Sequence, residues 1–202
     1  MGYLGIFIII VSVLAIFRKR QTRNQESVEQ KFWERENQAN HTRRQDISGL
    51  SYLTIPLDKF PIGICKDEDL QECENTLTVL SAKKILNLGS LSNTDLKLKY
   101  GLANLDTLTD YEQNFTTLCQ TLVAYANRLI QLNYKKEAKS VLEFGLSCGS
   151  DLSRNYLLLA DLYVESGDFD SLAALTKKAS EIDSPMKASI LTHLKEKEAL
   201  LS

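Results

Sequence analysis

Residues 153–186, SRNYLLLADLYVESGDFDSLAALTKKASEIDSPM, decide the fold. Tyr156, Leu159, Ala160 and Tyr163 recur at three- and four-residue steps, the spacing that puts apolar side chains on one face of a helix. Gly167 offers a left-handed stop, and a second helical pattern over 169–182 follows at once. Ser184 and Pro185 then read as N-cap and first helical position of a further helix over 186–200. The preceding 34 residues, 119–152, CQTLVAYANRLIQLNYKKEAKSVLEFGLSCGSDL, run the same way. Tyr125-Ala126 and Leu159-Ala160 stand at equivalent places, each in a helix followed by a short turn and a partner helix. Small residues let paired helices approach, while large ones fill the spaces beside them.

A period of 34 residues is that of the tetratricopeptide repeat, and residues 110–200 resemble that family. In 153–186 Tyr156 stands for the repeat's tryptophan, with Leu159 and the small Ala160 following it. Tyr163, the turn glycine Gly167 and the small Ala179 come next, and Pro185 falls one place late. In 119–152 the matching residues are Leu122, Tyr125, Ala126, Leu129, Ala138 and Leu142. The chain departs from the pattern at Leu172 and Thr176, at Gly145 inside a helix, and at Asn133, which replaces the turn glycine. The resemblance implies an all-α, TPR-like α-solenoid whose first helix in each repeat lines a concave face. Two repeats are too few for a continuous core, so helices over 67–88 and 93–108 are expected to cap them. Thr109 to Glu112 reads as a capping box opening a long helix. About seven helices are therefore expected over 67–202.

Outward from this domain the composition changes three times. Residues 47–66 carry Pro56 and Pro61, each of which blocks a helix and a central strand. An extended strap is expected there, held to the domain by Leu53, Ile55, Leu57, Phe60 and Ile62. Residues 18–46 form a linker with almost no apolar side chains besides Val28, Phe32 and Trp33. Its Glu, Gln, Lys and Arg content makes helix through about residue 38 as acceptable as coil. Phe32-Trp33 suits either a membrane interface or a peg on the folded domain. Residues 1–17, MGYLGIFIIIVSVLAIF, hold no charge and no polar face. At about 1.5 Å per residue they reach roughly 25 Å, and Arg18, Lys19 and Arg20 can snorkel to close the gap to a ~30 Å hydrocarbon core. A transmembrane anchor is expected, with basic residues after the span and so a cytoplasmic C-terminal domain at the cell membrane. The whole chain, an anchor followed by FWERENQANHTRRQDISGLSYLTIPLDKFPIG and a helical tail, is also similar to a membrane-anchored family of anaerobic Gram-positive bacteria, a likeness that implies no activity.

Charge and motifs narrow the function. Residues 18–45 carry eight Lys/Arg against four Glu, whereas 46–202 sum to −6, which argues against nucleic acid as partner. The basic segment up to Arg23 suits anionic lipid. Cys65, Cys73, Cys119 and Cys148 have neither paired metal-ligand spacing nor disulfide-scaffold density. His41 and His193 stand apart, and Asp67, Glu68 and Asp69 are explained by a helix N-terminus. No phosphate-cradling glycine loop, zinc helix or C-x-x-C occurs. The expectation is a scaffold or adaptor with no catalytic, cofactor or metal residues and no small-molecule substrate. Its partner is a protein or peptide. A structural subunit or regulator acting through its transmembrane span is the alternative. The candidate groove residues are Asn127 and Gln131, then Arg154, Asp161 and Glu165. They differ from the carboxylate-clamp kind of TPR site, whose basic residues receive an acidic C-terminus, so a neutral or basic segment is the expected occupant.

Overall fold

The structure is a computed structural model that describes residues 28–89 and 91–199, and all regular structure among the described residues is helical. Helix α1 covers residues 28–40. It is followed by α2 (Glu68–Ser81), α3 (Asn93–Tyr100), α4 (Leu105–Gln131), α5 (Lys135–Ser147), α6 (Ser153–Ser166), α7 (Phe169–Glu181) and α8 (Lys187–Ala199). The seven helices from α2 onward match the expected number. No described helix is long and apolar enough to cross a membrane, and the expected span at 1–17 lies outside the described residues.

The described residues divide into two compact units, 28–47 with 91–105, and 48–89 with 106–199. The strap thus belongs with helices α4–α8, whereas α3 belongs with α1. The α1–α3 unit is tied together by side-chain hydrogen bonds and an ion pair. Glu36 on α1 pairs with Lys97 and accepts a hydrogen bond from Thr94 Oγ1 at 2.7 Å; Lys97 also donates to Asn40 Oδ1 at 2.9 Å. Fully buried Asn104 donates to the carbonyls of Gln45 and Tyr100 and accepts from Arg44 Nε. The buried apolar side chains of this unit among the described residues are Ala39 and Leu96. Helix here is specified by capping: Ser92 and Asp95 exchange the two hydrogen bonds of a capping box.

Three expected boundaries moved. The helix foreseen over 93–108 stops at Tyr100, because Gly101 takes φ 88° and ψ 146°, and α4 starts at Leu105 and runs through Thr109. The Thr109–Glu112 pattern is therefore interior sequence, and the box that forms is the one at Ser92. The helix foreseen over 67–88 ends at Ser81. Beyond it Ile85 gives its carbonyl to Leu53 N–H, and Leu86 N–H donates to the Tyr111 carbonyl, so tertiary hydrogen bonds replace intrahelical ones. The last helix begins at Lys187, after a turn in which Ser184 Oγ accepts from Met186 N–H.

In the strap Ile55 and Phe60 are buried, Leu53 and Leu57 partly so, and the Phe60 ring lies edge-on to Phe144 at 5.3 Å. It is not extended throughout, because Leu57–Lys59 form a 3-10 turn in which Lys59 N–H donates to the Pro56 carbonyl and Phe60 N–H to that of Leu57. Ile62 departs from the alternation and is exposed, because Gly63 N–H turns inward to Glu74.

In the larger unit the 34-residue period is written in backbone geometry. Lys135 and Phe169 begin α5 and α7, and Ser153 and Lys187 begin α6 and α8. Asn133 (φ 67°) and Gly167 (φ 69°) both stand in the left-handed region. Tyr134 N–H donates to the Leu129 carbonyl as Asp168 N–H does to Tyr163, the six-to-one bond of a Schellman turn, both at 34 residues' separation. The buried pairs Leu122/Tyr156, Tyr125/Leu159, Ala126/Ala160, Leu129/Tyr163, Ala138/Leu172 and Val141/Leu175 keep the same offset. So do Gly145 and Ala179. Gly145 is thus the small residue of α5, where a Cβ would stand 3.1 Å from the Oδ1 of buried Asn155. Helix α6 packs on α5, α7 and α8.

The turn pair makes a test. Gly167 has open space around its missing Cβ, so Gly167→Ala should cost only left-handed strain, about 1 kcal/mol. Asn133→Gly should change stability by no more than about 0.5 kcal/mol, because asparagine tolerates this region and glycine adds unfolded-state entropy. Denaturant midpoints check both values.

Candidate functional site

A cleft of ≈ 520 Å³ lies between α2 and α4. The two helices run antiparallel, as the pairs Asp67/Arg128 and Glu74/Tyr125 show. Helix α2 sits here because Leu70, Leu77 and Leu80 repeat at helical spacing and are buried, and because Asp67 caps it, accepting from Leu70 N–H at 3.1 Å. Glu74 is the buried charge of the interface. Its Oε1 accepts from Tyr125 Oη at 3.0 Å and from Gly63 N–H at 2.9 Å, joining strap, α2 and α4 at one atom. Burial, with this carboxylate beside it, pushes the Tyr125 phenol well above its ordinary value, so the tyrosine stays a proton donor.

The lining of the cleft includes hydrogen-bonding groups: hydroxyls of Thr76 and Thr121, amides of Gln120, Asn127 and Gln131, and the Cys73 thiol. Burial first, and then Glu72, Asp69 and Glu74, raise the Cys73 thiol, which makes it a protonated and sluggish group. Arg128 holds Asp67 through Nε at 3.0 Å and Nη2 at 2.7 Å, lies 3.3 Å from Asp69, and donates through Nη1 to Gln131 Oε1 at 3.0 Å. Its charge is therefore spent on the two aspartates, and Glu72 adds a further carboxylate to the lining. The arrangement can hydrogen-bond an extended main chain and offer it a carboxylate; it holds no activated nucleophile or paired acid and base.

The five residues picked from sequence separate. Asn127 and Gln131 line the cleft. Arg154 reaches Asn127 Oδ1 through Nη2 at 3.3 Å. Asp161 and Glu165 lie elsewhere: Asp161 pairs with Lys197 at 2.6 Å, and Glu165 pairs with Lys135 at 2.8 Å beside a second cleft of ≈ 600 Å³ that Lys136 and Lys139 also line. Both pairs are about half exposed, so each contributes in the range of about 0–1 kcal/mol and is readily exchanged. The α2 contribution went unseen in the sequence because Asp69 is explained there by a helix N-terminus, and no motif sets Glu72, Cys73 and Thr76 beside it. Their spacing of three and four residues, which places them on one face, was the available signal.

The chain matches no family model, no curated protein and no solved structure. Its chemistry has to be read from its own geometry. Among the described residues no group of His, Cys, Asp and Glu could hold a metal ion. Cys65, Cys73, Cys119 and Cys148 are free thiols; burial lifts Cys119 to about 11, and it lifts Cys148 as well. His193 lies 3.5 Å from Glu196 on exposed surface, and His41 is bound through Nδ1 to the Asn37 carbonyl at 2.7 Å.

The Asp67–Arg128 pair predicts a pH dependence. The Arg128 guanidinium holds the Asp67 carboxyl below its ordinary value of 3.8, against the opposing pull of burial. A depressed carboxylate contributes stability above its unfolded value, and that stability is lost as pH falls through the folded value. Asp168, beside Lys139, acts in the same direction. Asp67→Asn keeps a capping side chain but no charge. It should lower the melting temperature near pH 7, and the difference from the native chain should shrink as pH falls through the depressed value of the native carboxyl.

Proposed function

We propose that the chain is an adaptor, tethered to the membrane by residues 1–17 with its C-terminal domain cytoplasmic, which holds a protein or peptide segment on a TPR-like array of helices. The observation that carries this reading is the 34-residue recurrence of helix starts, left-handed turns and buried positions from α4 to α8, with the amide- and hydroxyl-lined cleft of α2 and α4 beside it. In this reading α4, α6 and α8 are successive first helices, and Asn127 and Gln131 correspond to Asp161 and Glu165 one repeat later. The occupant is an extended segment whose main chain meets the cleft amides. A neutral or basic segment suits it, because Glu72 lines the cleft while Arg128 is engaged by Asp67 and Asp69. A segment long enough to reach α6 would also meet Asp161 and Glu165, outside the cleft, which can exchange their lysines for its own. The protein is then a binding module, without catalysis, cofactor, nucleic acid or small-molecule substrate.

Photo-crosslinking in intact membranes tests it. A crosslinker at Gln120 should capture one discrete partner, and one at exposed Ala173 on α7 should not. Glu72→Lys should weaken that capture about 3- to 10-fold, more at low salt than at high. Capture that survives Glu72→Lys and is lost on deleting residues 1–17 would instead make the transmembrane span the binding element.

A further inference from the structure

Val28, Phe32 and Trp33 lie on α1, where they are 66%, 54% and 59% exposed, and Phe32 meets Trp33 edge-on at 5.3 Å. Beyond them the same helix is fixed in place: Arg35 pairs with Asp95 at 2.5 Å, Glu36 with Lys97, and Ala39 is buried. An ordered helix thus presents three large apolar side chains that its own unit leaves bare. Trp33 Nε1 donates to Glu29 Oε1 at 3.4 Å, so the ring carries one polar edge and one apolar face, the pairing of properties that places indoles at the level of lipid headgroups.

We infer that this face rests on the surface of an anionic lipid bilayer. The inference rests on the membrane-anchor reading of residues 1–17 and extends it to a second point of attachment. The sequence outside the described residues supplies the argument. The uncharged run ends at Phe17 and ten residues lie between it and Val28, so at most about 40 Å of chain separates the span from the patch. That reach lets α1 lie in the plane of the interface. Arg18, Lys19, Arg20 and Arg23, opposed by Glu26 alone, lie between the two and favour anionic headgroups. Glu29, Lys31 and Glu34 flank the patch and leave it near neutral, so its hold is apolar while the upstream residues supply the electrostatic one. Tethering raises the lipid concentration met by α1 far above that of free solution, so a small patch suffices.

Trp33 is the chain's one tryptophan and reports on this contact without a label. The full chain would be reconstituted in phosphatidylcholine–phosphatidylglycerol vesicles and washed with alkaline carbonate. In the retained protein Trp33 should emit to the blue of a water-exposed indole, resist acrylamide several-fold better than in Val28→Asp/Phe32→Asp, and be quenched by brominated acyl chains. Retained protein whose Trp33 is as open to acrylamide as in the double variant overturns the inference and leaves the anchor standing. Blue emission that brominated lipid does not quench also overturns it, and assigns the patch to protein. Loss of the chain from washed vesicles refutes the anchor, and the inference falls with it.

Discussion

Ala160→Trp should unfold the larger unit under conditions where the native chain is stable. Ala160 has no exposed surface, and it lies on α6, which packs against α5, α7 and α8. The residue 34 places earlier, Ala126, is equally buried. An indole at either site must displace helices or force neighbouring side chains out of their rotamers. Overpacking by a few methylenes costs about 1–3 kcal/mol, and this change is larger, so a loss of about 3 kcal/mol or more is expected. In a unit of this size that lowers the melting temperature by roughly 10 °C. Ala173→Trp on the exposed face of α7 is the control and should stay within about 0.5 kcal/mol. Equal melting curves for Ala160→Trp and Ala173→Trp would mean that α6 does not approach its neighbours as described.

The 34-residue spacing of helices and turns was legible in the sequence because its signals are local and redundant. Tyr156, Leu159, Ala160 and Tyr163 mark a buried face by spacing alone, and Gly167 marks a turn because few other residues tolerate its φ. Asn133 looked like a departure but occupies the same left-handed position, since asparagine is the residue that most readily substitutes there. Gly145 also looked like a departure. Its meaning is tertiary, in that Asn155 comes within 3.1 Å of where its Cβ would be, and no pattern within α5 could announce that.

The same distinction explains what was misread. Leu88-Gly89 has the form of a helix stop, and Gly89 does adopt φ 62°, but the helix had already ended at Ser81 because Ile85 and Leu86 bond to Leu53 and Tyr111. Thr109–Glu112 has the form of a helix start, yet it is a stretch of α4. Half of the candidate cleft was equally hidden. Asn127 and Gln131 follow from the repeat register, whereas Glu72, Cys73 and Thr76 enter only once α2 is laid antiparallel on α4, a pairing fixed by Glu74, Tyr125, Asp67 and Arg128 across more than fifty residues of chain.

Gly101→Ala should be the most damaging single-methyl change in the α1–α3 unit. A Cβ at that position would fall 2.5 Å from the Arg43 carbonyl oxygen and 2.7 Å from both the Arg43 carbonyl carbon and Arg44 Cα. Those atoms are backbone, so no side-chain rotation can relieve the clash. The φ of 88° with ψ 146° is itself a conformation that only glycine adopts without strain. The alanine chain must therefore separate residues 43–45 from 97–104, which breaks the Gln45 N–H bond to the Tyr100 carbonyl at 2.9 Å. It also strands Asn104, whose side chain bonds Gln45, Tyr100 and Arg44 at 2.8, 2.7 and 3.1 Å. Strain and lost hydrogen bonds together should cost about 3 kcal/mol, seen as a drop of roughly 100-fold in the exchange protection of the Gln45 amide. Gly89→Ala supplies the comparison. It has the same left-handed handicap, at φ 62°, but open space around the added methyl, so it should cost about 1 kcal/mol. If Gly101→Ala is no worse than Gly89→Ala, the close passage of residues 43 and 44 over Gly101 is wrong, and the division that joins α3 to α1 loses its main support.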